Sequence, residues 1–364
     1  MKAKLGYLCS SESWGGLEMN HLRNASWMQE RGHSVVVLCV MDSPIERNAR
    51  ERNLNVLLIA KHKKYYDFKN ARKLRGIIVA NGITHLLIRS TYDMSILASV
   101  KRKMGDKLHA SYFMEMQLGV KKTNLLHSLR FKYIDVWSCP LNWLKDQVQQ
   151  WTKFKNNLVV IPSGLDLSQF KNLPTKTETR SVLEIPTDKI TFGLIGRFDQ
   201  QKGQLLLLEA MNSCEDKNFN LVFLGEPTLH EGDGYFNQMK EFIRFNKLQN
   251  RVFIRPYRKD TAVFYSSIDW LVMATKAETF GMVTIESLAC GTPVLGSNAG
   301  GTPEILKIDE GGMLFNSLDA LDLTNKMDLI CREKVTYSAE KLKSIAKQYD
   351  HHKVCEMIEQ TLDL

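Results

Sequence analysis

Two carboxylates at a fixed spacing, Glu278 and Glu286, bracket a glycine turn in the segment AETFGMVTIESLACGTPVLGSNAGGTPE (277–304). Gly281 stands where it would open a helix running to about Cys290. Phe280, Gly281 and Met282, with Val283 after them, would then offer backbone N–H groups lacking intrahelical partners at the positive end of the helix dipole. That is a seat for phosphate oxygens. A carboxylate touching the phosphate would repel it, so Glu278 and Glu286 read as acceptors for hydroxyl groups on either side of the seat. The plainer alternatives are a first-turn carboxylate complementing the dipole for Glu278 and a solvated helix residue for Glu286. The spacing favours a ligand with phosphate in the middle and hydroxyls at both ends, the outline of a nucleotide sugar.

Three further segments carry chemistry. In IGRFDQQKG (195–203), Arg197 and Lys202 follow an apolar run, a planar fork and a point charge able to offset a diphosphate as its charge develops. In SWGGLE (13–18), the glycines let a backbone approach a ligand closely, and Gly16 is carried forward as a binding residue. Glu18 reads equally well as a helix-start residue. IPSGLD occupies 161–166.

These four segments, which follow one another along nearly the whole chain as 13–18, 161–166, 195–203 and 277–304, resemble the retaining glycosyltransferases of family 4, with their EX7E spacing and GT-B architecture. The resemblance implies an α/β fold of two Rossmann-like domains facing an interdomain cleft. It implies transfer of a sugar from a nucleotide diphosphate sugar, a UDP- or GDP-sugar, to a glycan or lipid-linked acceptor in cell-surface polysaccharide biosynthesis. Glu278, Arg197 and Lys202 take the catalytic roles, and Glu286 holds the ribose hydroxyls. Gly16, Arg197, Lys202, Glu278, Phe280, Gly281, Met282, Val283 and Glu286 bind the donor. No cofactor and no essential metal are expected. The chain departs from the family where a His commonly follows the fifth strand of the first domain: His109 falls near that strand's start, and Glu115 becomes the candidate for orienting the acceptor. Two alternatives remain, a nucleotide-sugar epimerase of the same architecture and a non-catalytic nucleotide-sugar-binding subunit.

The elements that must position these residues are legible as alternation. A length of 364 residues suits two domains, placed at 1–165 and 166–350, with a helix at 351–364 packing back on the first. Strands are expected at 4–9, 34–40, 54–59, 84–88, 108–113, 135–138 and 158–161, and again at 190–195, 220–224, 252–254, 270–273 and 294–296. Helical periods lie between them, the pattern of a doubly wound parallel sheet. The polar, proline-containing stretch 166–188 reads as the interdomain linker.

Charge is uneven. Residues 1–165 hold 26 Lys and Arg against 12 Asp and Glu, a net +14, while the remainder is −5. A basic first half points to an anionic partner such as a membrane surface or a lipid-linked acceptor. The basic runs 61–64, 101–103 and 121–132 are the candidates, the last mixing Leu125, Leu126, Leu129 and Phe131 with Lys121, Lys122, Arg130 and Lys132, as an interfacial helix does or as a buried helix with a basic outer face would. Nucleic acid is excluded as a partner by the lack of an RNA-binding aromatic signature or helix-turn-helix pattern. No apolar run nears the roughly 20 residues of a membrane helix. The N-terminus lacks a signal peptide's apolar region. Seven scattered cysteines without a CxxC pair suit reduced thiols rather than zinc or disulfides. The expected location is cytoplasmic, peripheral on the inner face of the membrane.

Overall fold

The computed structural model describes residues 3–227, 234–307 and 310–364. The chain divides into two units, one formed by residues up to Gly164 with His351–Leu364, the other by Leu165–Asp350. Each is built on strands buried on both faces, which is why runs such as SVVVLCV, ITFGLI and FNLVFL are apolar almost throughout.

In the first unit β1 (Lys4–Cys9), β2 (Ser34–Val40), β3 (Asn55–Ile59), β4 (His85–Ile88), β5 (His109–Phe113), β6 (Val136–Cys139) and β7 (Asn157–Val160) form one sheet. The order is β3-β2-β1-β4-β5-β6-β7 and every pairing is parallel, Leu5 facing Val35 on one side and His85 on the other. Alternation along each strand separates two cores. Leu8, Val36 and Leu38 pack with Leu74, Ile78, Leu97 and Val100 of the helices Phe68–Ala80 and Met94–Met104. Leu5, Tyr7, Val35 and Val37 pack with Leu22, Ala25 and Met28 of the helix Gly16–Glu30 and with Val354, Ile358 and Leu362 of the last helix, His351–Leu362.

In the second unit β8 (Ile190–Ile195), β9 (Phe219–Leu224), β10 (Val252–Arg255), β11 (Trp270–Met273), β12 (Val294–Ser297) and β13 (Gly312–Phe315) form a parallel sheet in the order β10-β9-β8-β11-β12-β13. Both sheets reverse direction of winding at a neighbouring pair, β1/β4 and β8/β11. The loops beyond the carboxyl ends of such a pair are where open α/β sheets bind ligands.

One expectation is corrected and one element is added. The stretch 166–188 is not a loose linker: it holds a 3-10 turn, Leu167–Phe170, and the helix Lys176–Val182, which opens on a Thr175–Glu178 capping box. Its Arg180 is buried and donates to Asp269 at 2.6 Å and to the Ser267 carbonyl at 2.9 Å, so a polar side chain does the anchoring that an apolar stripe does elsewhere. The four-residue β13 was not anticipated, since GMLF is too short to carry a period.

The last helix is tied to the first unit by Glu359, which accepts from Arg31 at 2.6 Å and lies 2.8 Å from His33 Nε2. The Arg31 hydrogen bond, with a smaller part from His33, holds the Glu359 carboxyl down from its ordinary 4.5 to about 2. A depressed carboxyl pKa stabilises the folded state above the unfolded value and ceases to do so as pH falls towards the folded one. Glu359→Gln should therefore cost about 1 kcal/mol near neutral pH, the discounted scale for a partly exposed pair. Thermal unfolding across a pH series should show that gap closing as pH falls below 4.5 towards 2. A gap independent of pH would assign the loss to packing.

Candidate functional site

The second unit gathers its candidate residues at the carboxyl edge of β8 and β11. After β8 the chain turns on Asp199, whose carboxylate accepts from Gln201 N at 2.9 Å and Lys202 N at 3.1 Å, while Gln204 donates to the Arg197 carbonyl at 2.8 Å. The turn directs Lys202 inwards. Its aliphatic stem lies over Gly196 and its Nζ sits 3.2 Å from Glu278 Oε2. Arg197 belongs to the same loop but points outwards: its side chain is 67% exposed, with Asp199 at 3.9 Å as a weak neighbour.

Glu278 is set by its backbone. Its carbonyl accepts from Gly301 N at 2.8 Å, and it pairs with Gly300 in an isolated bridge. Gly300 has φ +66°, and a Cβ there would lie 2.2 Å from the Glu278 oxygen, so only glycine fits the turn. Three residues on, Gly281 caps the helix Met282–Cys290 with φ 90°. Among the described residues, no protein acceptor takes the N–H groups of Phe280, Gly281, Met282 or Val283. The helix start therefore presents these four N–H groups as one open cluster. The Phe280 ring is not part of it: it is buried, edge-on to Tyr349 at 5.8 Å, and only the backbone is available.

Glu286 lies one turn into the helix and accepts from Tyr265 at 2.7 Å. Burial first, and the Glu286 charge second, push the Tyr265 hydroxyl well above the usual tyrosine range, so it stays a donor. Tyr265 and Asp199 were missed by sequence reasoning. So was Thr284, whose buried hydroxyl has no hydrogen-bond partner among the described residues and sits 3.3 Å from where a Gly281 side chain would begin. A threonine in the first helical turn was the only available signal.

The first unit assembles a different group at the ends of β4 and β5. Glu115 pairs with Arg89, accepts from Asn20 at 3.2 Å, and has the Ser163 hydroxyl at 3.4 Å. Both charged side chains are about nine-tenths buried. Arg89 also lies over the Phe113 ring at 5.3 Å. Neither Arg89 nor Asn20 was singled out from sequence. Gly16 begins the helix that carries Asn20, and a Cβ on it would meet nothing within 4 Å, leaving the backbone approachable. Glu18 accepts from Gly15 N at 3.0 Å at the start of that helix, the helix-start role. His109 is a half-buried strand residue, 3.1 Å from Ser111 Oγ.

Beside this group lies a cavity of about 380 Å³ lined by Ser10, Ser11, Glu12, Lys61, His62, Ser90 and Tyr92. Its wall is a buried pair: His62 Nε2 lies 2.9 Å from Asp93 and Nδ1 3.0 Å from the Lys63 carbonyl. Burial alone would lower the His62 pKa, but these two acceptors outweigh it and the net shift is upwards. The basic run 61–64 is thus not uniformly a surface, because His62 faces inwards. Arg130 likewise departs from the expected outward face of its helix, Leu125–Phe131: it is buried, 4.8 Å from the Tyr65 ring, while Leu125 and Leu129 are exposed.

The geometry on unit two can hold a diphosphate between a cation, a helix start and two carboxylates. Comparison with known proteins bears on that chemistry. The family described as Glycosyl transferases group 1 matches residues 175–349, nearly all of the second unit. An uncharacterized glycosyltransferase of Methanocaldococcus jannaschii is 27% identical over 300 residues, 78% of this chain and 76% of that one. The D-inositol 3-phosphate glycosyltransferase of Kineococcus radiotolerans is 28% identical over 163 residues, which span 43% of this chain but only 37% of the relative. Among solved structures, Anabaena HepE in complex with UDP superposes with a TM-score of 0.82 at 19% identity, covering 99% of both chains.

The Gly300 contact predicts a contrast in stability. Gly300→Ala should lose about 2–4 kcal/mol, combining a left-handed φ with a clash against fixed backbone. Gly16→Ala, with open space around its Cβ, should stay within about 0.5 kcal/mol of wild type. Urea unfolding of both measures this, and equal midpoints would mean the turn relaxes and does not hold Glu278.

Proposed function

From the match of residues 175–349 to glycosyl transferases group 1, we propose that this chain, of GT-B fold, is a retaining transferase. In this reading it moves a sugar from a UDP- or GDP-sugar to a glycan or lipid-linked acceptor in cell-surface polysaccharide assembly. The observation that carries it is the Lys202–Glu278 pair at 3.2 Å beside unpartnered N–H groups at the start of the helix Met282–Cys290. A donor diphosphate entering the seat would take Lys202 from Glu278. The carboxylate is thereby freed to accept from a sugar hydroxyl, and the cation turns to the charge that grows as the bond to the sugar breaks. Arg197, exposed and loosely held, swings in as the second cation. Glu286 receives the ribose hydroxyls at the far side.

The same charges support a transfer that needs no resident metal, since Lys202 and the helix start already lie together and Arg197, on the same loop as Lys202, supplies a second cation. Retention is supported by the family 4 spacing of Glu278 and Glu286. Glu115 fits a positioning role better than a nucleophilic one, because Arg89, Asn20 and Ser163 already occupy its oxygens. UDP is supported as the donor nucleotide by the complex of Anabaena HepE.

Arg197→Ala and Lys202→Ala should each lower acceptor-dependent turnover by roughly 10²–10³ with the fold intact, the scale for removing one preorganised charge-stabilising group. Chelation with EDTA should leave the wild-type rate within about twofold. Screening UDP- and GDP-sugars with and without acceptor provides the assay. Variants at wild-type rate would remove the diphosphate assignment, and donor turnover that ignores acceptor would favour an epimerase.

The acceptor side is read as an anionic or membrane-borne partner. Support comes from the exposed Leu125 and Leu129 on a helix flanked by Lys121, Lys122 and Lys132, near exposed Tyr65 and Tyr66. No described helix is long and apolar enough to cross a membrane. Binding to vesicles of phosphatidylglycerol should be strong at low salt and fall steeply as screening rises. Lys121→Glu, Lys122→Glu and Lys132→Glu together should weaken it without altering donor hydrolysis. Arg130 is left unchanged, being buried. Absence of vesicle binding by wild type would point to a soluble acceptor.

A further inference from the structure

The helix Met282–Cys290 has a second end. Where its carboxyl terminus stops, the second unit contains a cavity of about 680 Å³ lined by Ala289, Cys290 and Gly291, by Leu167 and the chain from Phe170 to Pro174, and by Lys343 and Lys347. Its apolar lining comes from Leu167, Phe170, Leu173, Pro174 and Ala289. Its rim is cationic: Lys171, Lys176, Lys343 and Lys347 all line it, and no acidic residue does. Lys176 is engaged with Asp269 at 2.6 Å. Lys171, Lys343 and Lys347 enter no ion pair among the described residues.

A simpler account is that the lysines complement the negative end of the helix. It serves for Lys343, whose stem comes within 3.4 Å of a Cβ position on Gly291. The carbonyls there are already partly satisfied, because Gly291 N donates to Leu288 and Ser287. Lys171 and Lys347 are left over. Three ammonium groups around an apolar lining suit a multiply charged anion with a short hydrocarbon body, and compact point charges suit phosphate.

The cavity is also connected to the phosphate seat. Nine residues of one helix separate them, about 14 Å at the helical rise. Lys347 precedes by two residues Tyr349, whose ring meets Phe280 of the seat at 5.8 Å. A ligand that shifts either lysine-bearing segment therefore acts on the element carrying the seat's N–H groups.

We propose that this cavity is a second binding site, for an alkyl phosphate or similar amphipathic anion, and that its occupancy is linked to nucleotide binding at the other end of the helix. Binding in the cavity is independent of the transferase reading; only the linkage rests on it. The probe is octyl phosphate below its micelle concentration, measured by calorimetry against inorganic phosphate and n-octanol. Saturable binding tighter than either fragment is expected, and Lys171→Glu with Lys347→Glu should weaken it by about tenfold or more, the scale for lost charge-assisted contacts. A second readout does not depend on those variants. Cys290 is the one cysteine of seven that is not buried, so its alkylation, at about pH 9 because burial raises the thiol, should slow when octyl phosphate is present and not with inorganic phosphate.

For the linkage, octyl phosphate should change UDP affinity by about fivefold or more, and UDP should change octyl phosphate affinity by the same factor. Binding that is non-saturable, insensitive to the charge reversals, or without effect on Cys290 overturns the site. Saturable binding with UDP affinity unchanged overturns the linkage. Octyl phosphate binding in a protein that binds neither UDP nor GDP would sustain the site and count against the donor reading instead.

Discussion

The contact between Gly300 and the backbone of Glu278 is the constraint on which the second unit's chemistry depends. At 2.2 Å from a hypothetical Cβ to the Glu278 oxygen, the turn after β12 presses against the peptide that leads into the helix start. The hydrogen bond from Gly301 N then fixes that peptide's direction. From there the order of consequences is short. Glu278 faces Lys202, Gly281 takes its left-handed turn, and the first helical N–H groups are presented together. The carboxylate and the helix start thus share one support of rigid backbone, and Lys202 reaches them from the separate turn held by Asp199. A backbone support of this kind holds a charged side chain in place without relying on the packing of that side chain.

The first unit solves a related problem by burying polar side chains. Glu115 with Arg89, and His62 with Asp93, both sit at the carboxyl ends of strands with little exposure. Buried ion pairs contribute little net stability, since desolvation offsets the attraction. Their effect here is on geometry: Glu115 ties the ends of β4 and β5 to the helix Gly16–Glu30 through Asn20 and to the 161–166 segment through Ser163. Asp93 ties the segment after β1, through Ser10, to His62 after β3. Loops that would otherwise fray are held in one arrangement around a cavity, at the pair of strands where the sheet reverses.

The helix Met282–Cys290 joins these themes within the second unit. Its start presents N–H groups, its first turn carries Thr284 and its second Glu286, and its end borders the lysine-rimmed cavity. Tyr265 holds Glu286 from the side, and Phe280 anchors the entry against Tyr349. Because the helix is packed along its whole length, displacement at one end is resisted or transmitted rather than absorbed.

The α/β class and most strand positions were legible in the sequence because parallel strands buried on both faces leave continuous apolar runs, and helices between them leave a different period. The Glu278–Glu286 spacing was legible for the same reason: both residues lie in one local segment whose geometry a glycine and a helix dictate. The stretch 166–188 was misread because Arg180 anchors it through polar contacts, and composition does not distinguish a satisfied buried guanidinium from a solvated one. Arg89, Asn20, Tyr265 and the inward turns of His62 and Arg130 were likewise decided by tertiary structure. Their partners are remote in the chain, Asn20 and Glu115 being 95 residues apart and Lys202 and Glu278 76. Local sequence determines what a residue can donate, accept or bury. Which remote group it meets depends on how strands are ordered in a sheet, and that order leaves no period to read.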